Sequence, residues 1–201
     1  MFKKIITEHN SRDKIIKSGK RRIEAAILIP IIDKEDGPHL LFESRAKNLK
    51  LQPGETCFPG GGIHSGETPQ KAAIRETCEE LLIDKSQIEI LCPLDGRQGP
   101  KMRIVWAYLG KIHDYNGTFS KDEVDHVFTV PLSFFLENEP TIYKMKNICE
   151  APKDFPSALL QNEVYRWELK DFVIPVYEYG GEYIWGFTAR NIIGLVNELK
   201  E

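Results

Sequence analysis

The sequence predicts an α/β fold in which a mixed β-sheet is covered by helices on both faces. Apolar runs, such as residues 23–32 with their many Ile and Ala residues, are typical of buried strands, and two long helical segments alternate with the strands. The 201 residues, of which 41% are hydrophobic, also suffice for one core. We therefore expect one domain over residues 23–201, preceded by a segment over residues 1–22 that forms a short helix.

The first half of the chain predicts a β-hairpin followed by a helix. Residues 23–32 have the composition of a buried strand, and Asp36-Gly37-Pro38 turns the chain back into a second strand over residues 39–45. Thr68 supplies an N-cap side chain, and Pro69 occupies the first helical position, where its missing N–H costs nothing. This helix is expected to end near Leu82.

The second half adds strands and a closing helix. Strands are expected over residues 87–92, 103–112, 127–130, 172–179 and 182–187. Pro131 ends the third of these and leads into a short helix over residues 132–136. Gly180-Gly181 is a two-residue loop that favours a primed hairpin turn. A helix from about Thr188 to Leu199 follows, so strands interleave with two principal helices.

The helix that begins at Pro69 carries an unusual concentration of acid on one side. At roughly 100° per residue, one sector of this helix contains Glu76, Glu79 and Glu80. Like charges at this spacing repel each other, so the cluster is disfavoured unless a cation occupies it. Carboxylate oxygens suit a hard divalent ion such as Mg²⁺ or Mn²⁺. The alternative is an ordinary solvated acidic face.

A glycine-rich segment immediately upstream favours the metal hypothesis. Phe58-Pro59-Gly60-Gly61-Gly62 brings bare backbone towards the same helix, and Glu67 lies just before its first turn. Glycines let carbonyl and N–H groups approach an ion or a phosphate without obstruction by side chains. We therefore interpret the loop and the helix as one site.

The spacing of these residues resembles the Nudix box of the Nudix hydrolase superfamily. The matching positions are Gly61, Glu67 and the run Arg75-Glu76-x-x-Glu79-Glu80. Thr77 stands where an aliphatic residue is common, and Leu82 stands where a glycine usually ends the helix. The resemblance implies an α/β/α sandwich with a mixed sheet, with residues 23–201 as the Nudix hydrolase domain, and a pyrophosphohydrolase activity that depends on a divalent metal ion.

The resemblance also implies roles for individual residues. The implied metal ligands are Glu76, Glu80, Glu79 and a backbone carbonyl of Gly60 or Gly61. Superfamily members differ in whether the carboxylate that accepts the proton of water comes from the box or from a loop. Glu79 and the loop residue Glu123 are the two candidates. Arg75 has an orienting role and can pair with Glu79 at i, i+4, and Glu67 completes the catalytic candidates.

A narrower resemblance is to the coenzyme A pyrophosphatase branch. It rests on residues 40–61, on Asp122-Glu123-Val124 leading to Val130-Pro131-Leu132-Ser133, and on residues 184–190. Lys50 stands where arginine is usual, and residues 95–101 depart from the usual loop of the branch. The implied reaction cleaves the diphosphate of coenzyme A or acyl-coenzyme A, giving 4′-phosphopantetheine and adenosine 3′,5′-bisphosphate.

The 3′-phosphate of coenzyme A calls for additional positive charge, and the substrate-binding candidates are Arg45, Lys50 and Lys47. These cations are alternatively ordinary surface residues. One alternative function keeps the reaction but acts on ADP-ribose or another nucleoside diphosphate derivative. Another is a non-catalytic domain that binds a nucleotide to regulate a partner; retention of all three helix glutamates weighs against it.

Composition bounds the partners. A net charge of −3 argues against binding along a nucleic-acid backbone. The chain contains no run of about eighteen apolar residues, so no membrane span is expected. Four cysteines without a CxxC pair indicate reduced thiols in a cytoplasmic protein. A homodimer is a superfamily expectation, and Trp106, Trp167 and Trp185 are assigned to the core or to a dimer interface.

Overall fold

A computed structural model of the protein describes residues 24–98, 104–146 and 172–200. In chain order its elements are β1 (Glu24–Lys34), β2 (Gly37–Arg45), β3 (Thr56–Cys57), β4 (Gly60–Gly62), α1 (Pro69–Leu81), β5 (Ile88–Gln98), β6 (Ile104–Ile112), β7 (Val124–Pro131), α2 (Leu132–Glu137), β8 (Thr141–Met145), β9 (Phe172–Tyr179), β10 (Glu182–Trp185) and α3 (Gly186–Lys200). A 3₁₀ turn over Lys85–Gln87 precedes β5. The helix expected within residues 1–22 lies outside the described residues.

Seven strands form the main sheet, in the order β3-β2-β1-β6-β5, with β4 paired to β1 and β7 paired to β2. β1 and β6 are parallel, whereas the other pairs are antiparallel. The sheet is therefore mixed, as predicted. β2 lies between β1 and β7 along part of its length, which brings the start of β7 beside the end of β2.

β1 is buried on both faces, which explains its continuous apolar run. Ile29 and Ile31 pack into the cluster that contains residues of α3, whereas Ala26 and Leu28 pack on the side of α1. The period-two alternation of a strand thus supplies two cores from one segment. Helices cover both faces, and the predicted α/β/α sandwich is confirmed.

A second sheet, of order β10-β9-β8, was not predicted as a separate unit. Gly180 and Gly181 both have positive φ, +61° and +88°, as the expected primed turn requires. Tyr177 and Ile184 point from this sheet into the core beside α3. The last strand ends at Trp185 rather than at Phe187, because Gly186, with φ +59°, turns the chain directly into α3.

Both ends of α1 follow from local chemistry. The side chain of Thr68 accepts a hydrogen bond from the Lys71 N–H at 3.3 Å, which confirms the predicted N-cap. At the other end Leu82 adopts the left-handed conformation, with φ 53° and ψ 48°, and its N–H donates to the carbonyl of Cys78. A leucine therefore performs the turn that a glycine performs without strain.

Leu82→Gly is expected to raise the free energy of unfolding. The left-handed conformation costs an L-residue about 1–2 kcal/mol, and glycine removes this strain. Glycine also loses more backbone entropy on folding, so the free energy of unfolding should rise by about 1 kcal/mol net. Little packing is lost, because Leu82 is 59% exposed. Urea unfolding measures the gain. Leu82→Ala is the matched control, since it removes the same side chain and keeps the strain; equal stability of the two variants would contradict the explanation.

Candidate functional site

Strand β4 approaches helix α1 closely because its residues are glycines. The Gly60 N–H donates to Oε2 of Glu80 at 2.8 Å. A Cβ at Gly61 would lie 2.4–2.6 Å from the carboxylate atoms of Glu76, so only a residue without a side chain allows this approach. β4 is itself fixed by pairing with β1, where Ala26 lies opposite Gly61. The sheet thus holds the glycine-rich segment against two glutamates of the helix.

Arg75 connects that segment to the helix. Its Nε donates to Oε1 of Glu67 at 3.0 Å, and Nη2 donates both to Oε2 of Glu67 at 3.1 Å and to the carbonyl of Gly62 at 3.0 Å. Nη1 lies 2.9 Å from Oε1 of Glu76 and 3.2 Å from Oε2 of Glu79. The hydrogen bond from Arg75 lowers the pKa of Glu67. The pKa of the Arg75 guanidinium is raised, and its hydrogen bond to Glu67 is the largest cause. Arg75 therefore orients several acidic side chains at once.

Two carboxyl groups are buried beside this network. Glu80 is 2% exposed and Glu43, on β2, is 1% exposed. Burial raises the pKa of Glu80, and the charges of Glu43, Glu76 and Glu123 raise it further. Burial also raises the pKa of Glu43, partly offset by a hydrogen bond from Sγ of Cys57 at 3.3 Å. We call Glu43, Glu76, Glu80 and Glu123 the acidic cluster.

The predicted site residues divide between this cluster and its surroundings. Glu123 is held near the end of β2, where its carbonyl accepts a hydrogen bond from the Ala46 N–H at 2.9 Å, and it acts electrostatically on both buried carboxyls. The Glu79 side chain is 56% exposed and pairs with Arg75. The structure thus places Glu76 and Glu123 within electrostatic range of Glu80 and leaves Glu79 at the rim.

Glu43 was missed by the sequence analysis. It lies in Leu40-Leu41-Phe42-Glu43, where a single acid in an apolar strand ordinarily faces solvent. One feature of the sequence could have identified it: a continuously apolar strand is buried on both faces, as β2 is, and such a strand has no solvent-facing position for an acid. Its place beside α1 depends on strand register, which the local sequence does not specify.

The acidic cluster can be tested for its fit to a metal ion. Within the described ranges, no three His, Cys, Asp or Glu side chains converge closely enough to hold an ion as they stand. However, Oε2 of Glu43 is buried without a hydrogen-bond partner, and all the side-chain donors of the cluster are carboxylate oxygens. This donor set fits a hard divalent cation, which Glu76 and Glu80 would hold through carboxylate oxygens.

A cavity of about 330 Å³ adjoins the cluster, and its wall includes Arg45, Cys57, Phe58, Gly60, Trp185 and Phe187. Arg45 donates from Nε to the Leu51 carbonyl at 3.3 Å. Lys47 and Lys50 are exposed on the loop after β2 and do not line this cavity.

The three tryptophans have different environments. Assignment of Trp185 to the core is wrong, because it is 38% exposed and turns towards the cavity at the end of β10. Trp106 is half-buried and donates to Glu24 at 3.0 Å. Trp167 lies outside the described residues. The expectation of a dimer interface stays a prediction.

Metal-free protein is expected to lose stability as pH rises from about 5 to 9. A carboxyl group whose folded pKa is raised above the ordinary 4.5 binds more protons folded than unfolded, so its contribution is present below that value and is lost as pH rises through the folded pKa. Urea unfolding in the presence of a chelator, repeated across this pH range, measures how steeply the free energy of unfolding depends on pH. Glu80→Gln should flatten this dependence, and a stability that increases with pH over this range would contradict the burial argument.

No helix within the described ranges is long and apolar enough to cross a membrane. The expected cytoplasmic location stays a prediction.

Comparison with known proteins gives a consistent family. Residues 21–145 match the model of the NUDIX domain. The mouse protein "Peroxisomal coenzyme A diphosphatase NUDT7" is 33% identical over 132 residues, 65% of this chain and 55% of that protein. "Uncharacterized Nudix hydrolase NudL" of Enterobacter sp. (strain 638) is 35% identical over 126 residues, 61% of this chain and 64% of that protein. The matches thus span less than two thirds of either relative.

A solved structure supports the fold. The crystal structure of a MutT/nudix family protein from Enterococcus faecalis aligns with 98% of this chain and 69% of its own, with a TM-score of 0.50 and 14% identity. At that identity the likeness concerns the fold alone. The matched domain covers more than half of the 201 residues and includes the glycine-rich segment, α1, the whole main sheet and all four residues of the acidic cluster. The chain therefore belongs to the Nudix family.

Proposed function

We propose that this protein is a divalent-metal-dependent pyrophosphohydrolase that cleaves the diphosphate of coenzyme A or acyl-coenzyme A, giving 4′-phosphopantetheine and adenosine 3′,5′-bisphosphate. The observation that carries the proposal is the acidic cluster next to a cavity whose wall contains Arg45. The likeness to a mouse relative named as a coenzyme A diphosphatase supports the choice of substrate.

The metal proposal concerns Mg²⁺ or Mn²⁺. Glu76 and Glu80 are the proposed principal ligands, with Glu79 and a carbonyl of Gly60 or Gly61 as further ligands. When bound, the ion would neutralise the diphosphate oxygens and so favour attack by water. The contact between Gly61 and Glu76 and the hydrogen bond from Gly60 to Glu80 support a shared site, because each fixes a carboxylate beside the backbone.

Arg75 and Glu67 are proposed as positioning residues. Arg75 contacts Glu67, Glu76, Glu79 and the Gly62 carbonyl, so it joins both sides of the proposed metal site. A bidentate guanidinium–carboxylate pair is geometrically specific, and it limits the rotation of both partners. Their proposed role is to keep the helix glutamates at a constant distance from the glycine-rich segment.

For the proton acceptor we favour Glu123 over Glu79. Glu123 is exposed and belongs to the acidic cluster, so it combines access to water with proximity to the proposed ligands. Glu79 is already paired with Arg75 at 3.2 Å. A general base must lie within hydrogen-bonding reach of the attacking water, directly or through one further water. Glu79 keeps the alternative role of a metal ligand.

Coenzyme A is expected to be cleaved with a higher kcat/KM than dephospho-coenzyme A, which lacks only the 3′-phosphate. A charge-assisted contact to Arg45, Lys50 or Lys47 is worth about 1.5–3 kcal/mol, so the ratio should be roughly 10–100-fold. Lys50→Ala should reduce the ratio mainly by lowering kcat/KM for the phosphorylated substrate. Initial rates at low ionic strength measure both substrates, since salt screens exposed contacts.

Lys144→Ala is the matched control, because it removes an exposed lysine from β8 that does not line the cavity. Equal efficiency on the two coenzyme A forms would reject the 3′-phosphate contact. Preference for ADP-ribose or another nucleoside diphosphate derivative would favour the alternative pyrophosphatase. Binding of these compounds without turnover at saturating Mg²⁺ and Mn²⁺ would favour the regulatory domain.

A further inference from the structure

Glu43 is a buried carboxylate whose hydrogen bonding is incomplete. It alternates with Phe42 along β2: Phe42 belongs to the core beside α3, whereas Glu43 shares the α1 side with Leu41. Cys57, its partner in β3, donates to Oε1 at 3.3 Å. Oε2 is buried and has no hydrogen-bond partner. A buried polar atom in that condition costs free energy and calls for an explanation.

The surroundings of Glu43 are acidic. The charges of Glu76 and Glu123 act on it, and it acts in turn on Glu80. Among neighbouring groups, Tyr115 uses its hydroxyl to donate to the Thr118 carbonyl. The charge of Arg45 acts on Glu43 in the opposite sense, and Nε of Arg45 donates to the Leu51 carbonyl at 3.3 Å. A buried carboxylate with three like-charged neighbours is best accommodated by an additional cation.

We propose that Glu43 is a ligand of the divalent cation in this protein, contributed by β2 and not by the glycine-rich segment or α1. The inference rests on the metal site of the proposed function and adds a residue to it. Glu43 would hold the cation together with Glu80, on whose carboxyl group its charge acts. Cys57, the strand partner of Glu43, lines the adjoining cavity. The ligand set then combines strand β2, helix α1 and the glycine-rich segment.

Manganese binding to the purified full chain tests the proposal without any assay of turnover. Free Mn²⁺ has a strong electron paramagnetic resonance signal that decreases on binding, so a titration gives affinity and stoichiometry. Glu43→Gln keeps the size and removes the charge. We expect Mn²⁺ affinity to fall by at least about 10-fold, because even residues that only hydrogen-bond to metal ligands cost about 10–100-fold when they are replaced. Glu89→Gln, at an exposed position of β5, controls for the loss of one negative charge and should bind as the wild type does.

Thermal unfolding supplies a second measurement. A purely structural role of Glu43 would give the opposite result from a role as a metal ligand. In chelator, Glu43→Gln is expected to be at least as stable as the wild type, because the substitution removes a buried charge. The increase in Tm on adding Mn²⁺ should become smaller, because stabilisation by a ligand follows its affinity for the folded state. A lower Tm in chelator together with an unchanged Mn²⁺-induced increase would overturn the proposal.

Two further variants keep the test decisive. Glu43→Asp retains the charge with a shorter reach, and an affinity between those of the wild type and Glu43→Gln supports ligation even if the Gln variant folds poorly. Glu80→Gln in the same titration distinguishes failure of the Glu43 role from failure of the whole metal site. If Glu80→Gln weakens Mn²⁺ binding and Glu43→Gln does not, the role of Glu43 is wrong and the metal site stands. If neither weakens binding, the proposed metal site fails with it.

Discussion

Glu80→Gln is expected to lower kcat by about 10²–10⁴-fold on a diphosphate substrate, since metal-borne stabilisation is worth several kcal/mol and each 1.36 kcal/mol is a factor of ten. The substitution removes charge and little else. The Gly60 N–H, which donates to Oε2 of Glu80 at 2.8 Å, can donate to the glutamine carbonyl instead. The packing of the glycine-rich segment should therefore survive. Steady-state rates at saturating Mg²⁺ or Mn²⁺ measure the loss.

Near-normal turnover of a folded Glu80→Gln protein would reject the metal assignment. Circular dichroism and the Tm in chelator serve as the control for folding. Glu123→Gln and Glu79→Gln belong in the same series, assayed across pH. The variant that loses the pH-dependent limb of kcat while still binding Mn²⁺ carries the base. If neither variant changes the profile, both candidates are wrong.

Gly61→Ala is the second substitution with a large expected effect on rate and a small one on stability. The added methyl would lie 2.4–2.6 Å from the carboxylate of Glu76, so the end of a flexible side chain has to move. That movement costs the fold little, but it displaces a proposed metal ligand. A misplacement of about 1 Å can lower the rate by about 10²-fold, and we expect kcat to fall by that order. Paired measurements of kcat and Tm distinguish the two effects.

The neighbouring glycines provide matched controls. Gly60→Ala would place a methyl 2.3 Å from the Ala26 carbonyl oxygen and 2.7 Å from Cα of Ile27, at a φ of +154°, so it should lower the Tm markedly. Gly62→Ala meets nothing within 4 Å and should be close to neutral in both measurements. Three adjacent substitutions thus have three different expected results. A Gly61→Ala enzyme with wild-type kcat would contradict the proposed role of Glu76.

The parts of the fold that could be predicted from sequence are those with a local cause. The N-cap at Thr68, the helix from Pro69 and the turn at Gly180-Gly181 each depend on the conformational preference of one or two residues. The buried strand β1 follows from an apolar run that only a doubly covered strand accommodates. The spacing of the Nudix box then places Glu76 and Glu80 on one helix face.

What sequence reasoning missed depends on pairings between distant segments. Glu43 reaches the acidic cluster because β2 pairs with β3 and β7, and no local pattern specifies which face of a strand will point towards α1. Trp185 reaches the cavity for a similar reason, since β10 ends beside β3. The exposed strand β8 lacks the alternation that identifies a strand. Register and strand order are collective properties of the sheet.

The residues of the acidic cluster come from three separate segments of the chain, and only one of these segments carries several residues of the proposed site. Glycines 60 and 61 and the helix glutamates lie within one short continuous stretch, so a single ancestral segment can transmit all of them together. Glu43 precedes that stretch and Glu123 follows it by some forty positions. Mutation can alter either one while the box stays intact. A chain can thus retain the family signature while the charge around its cation diverges, one strand residue or one loop residue at a time.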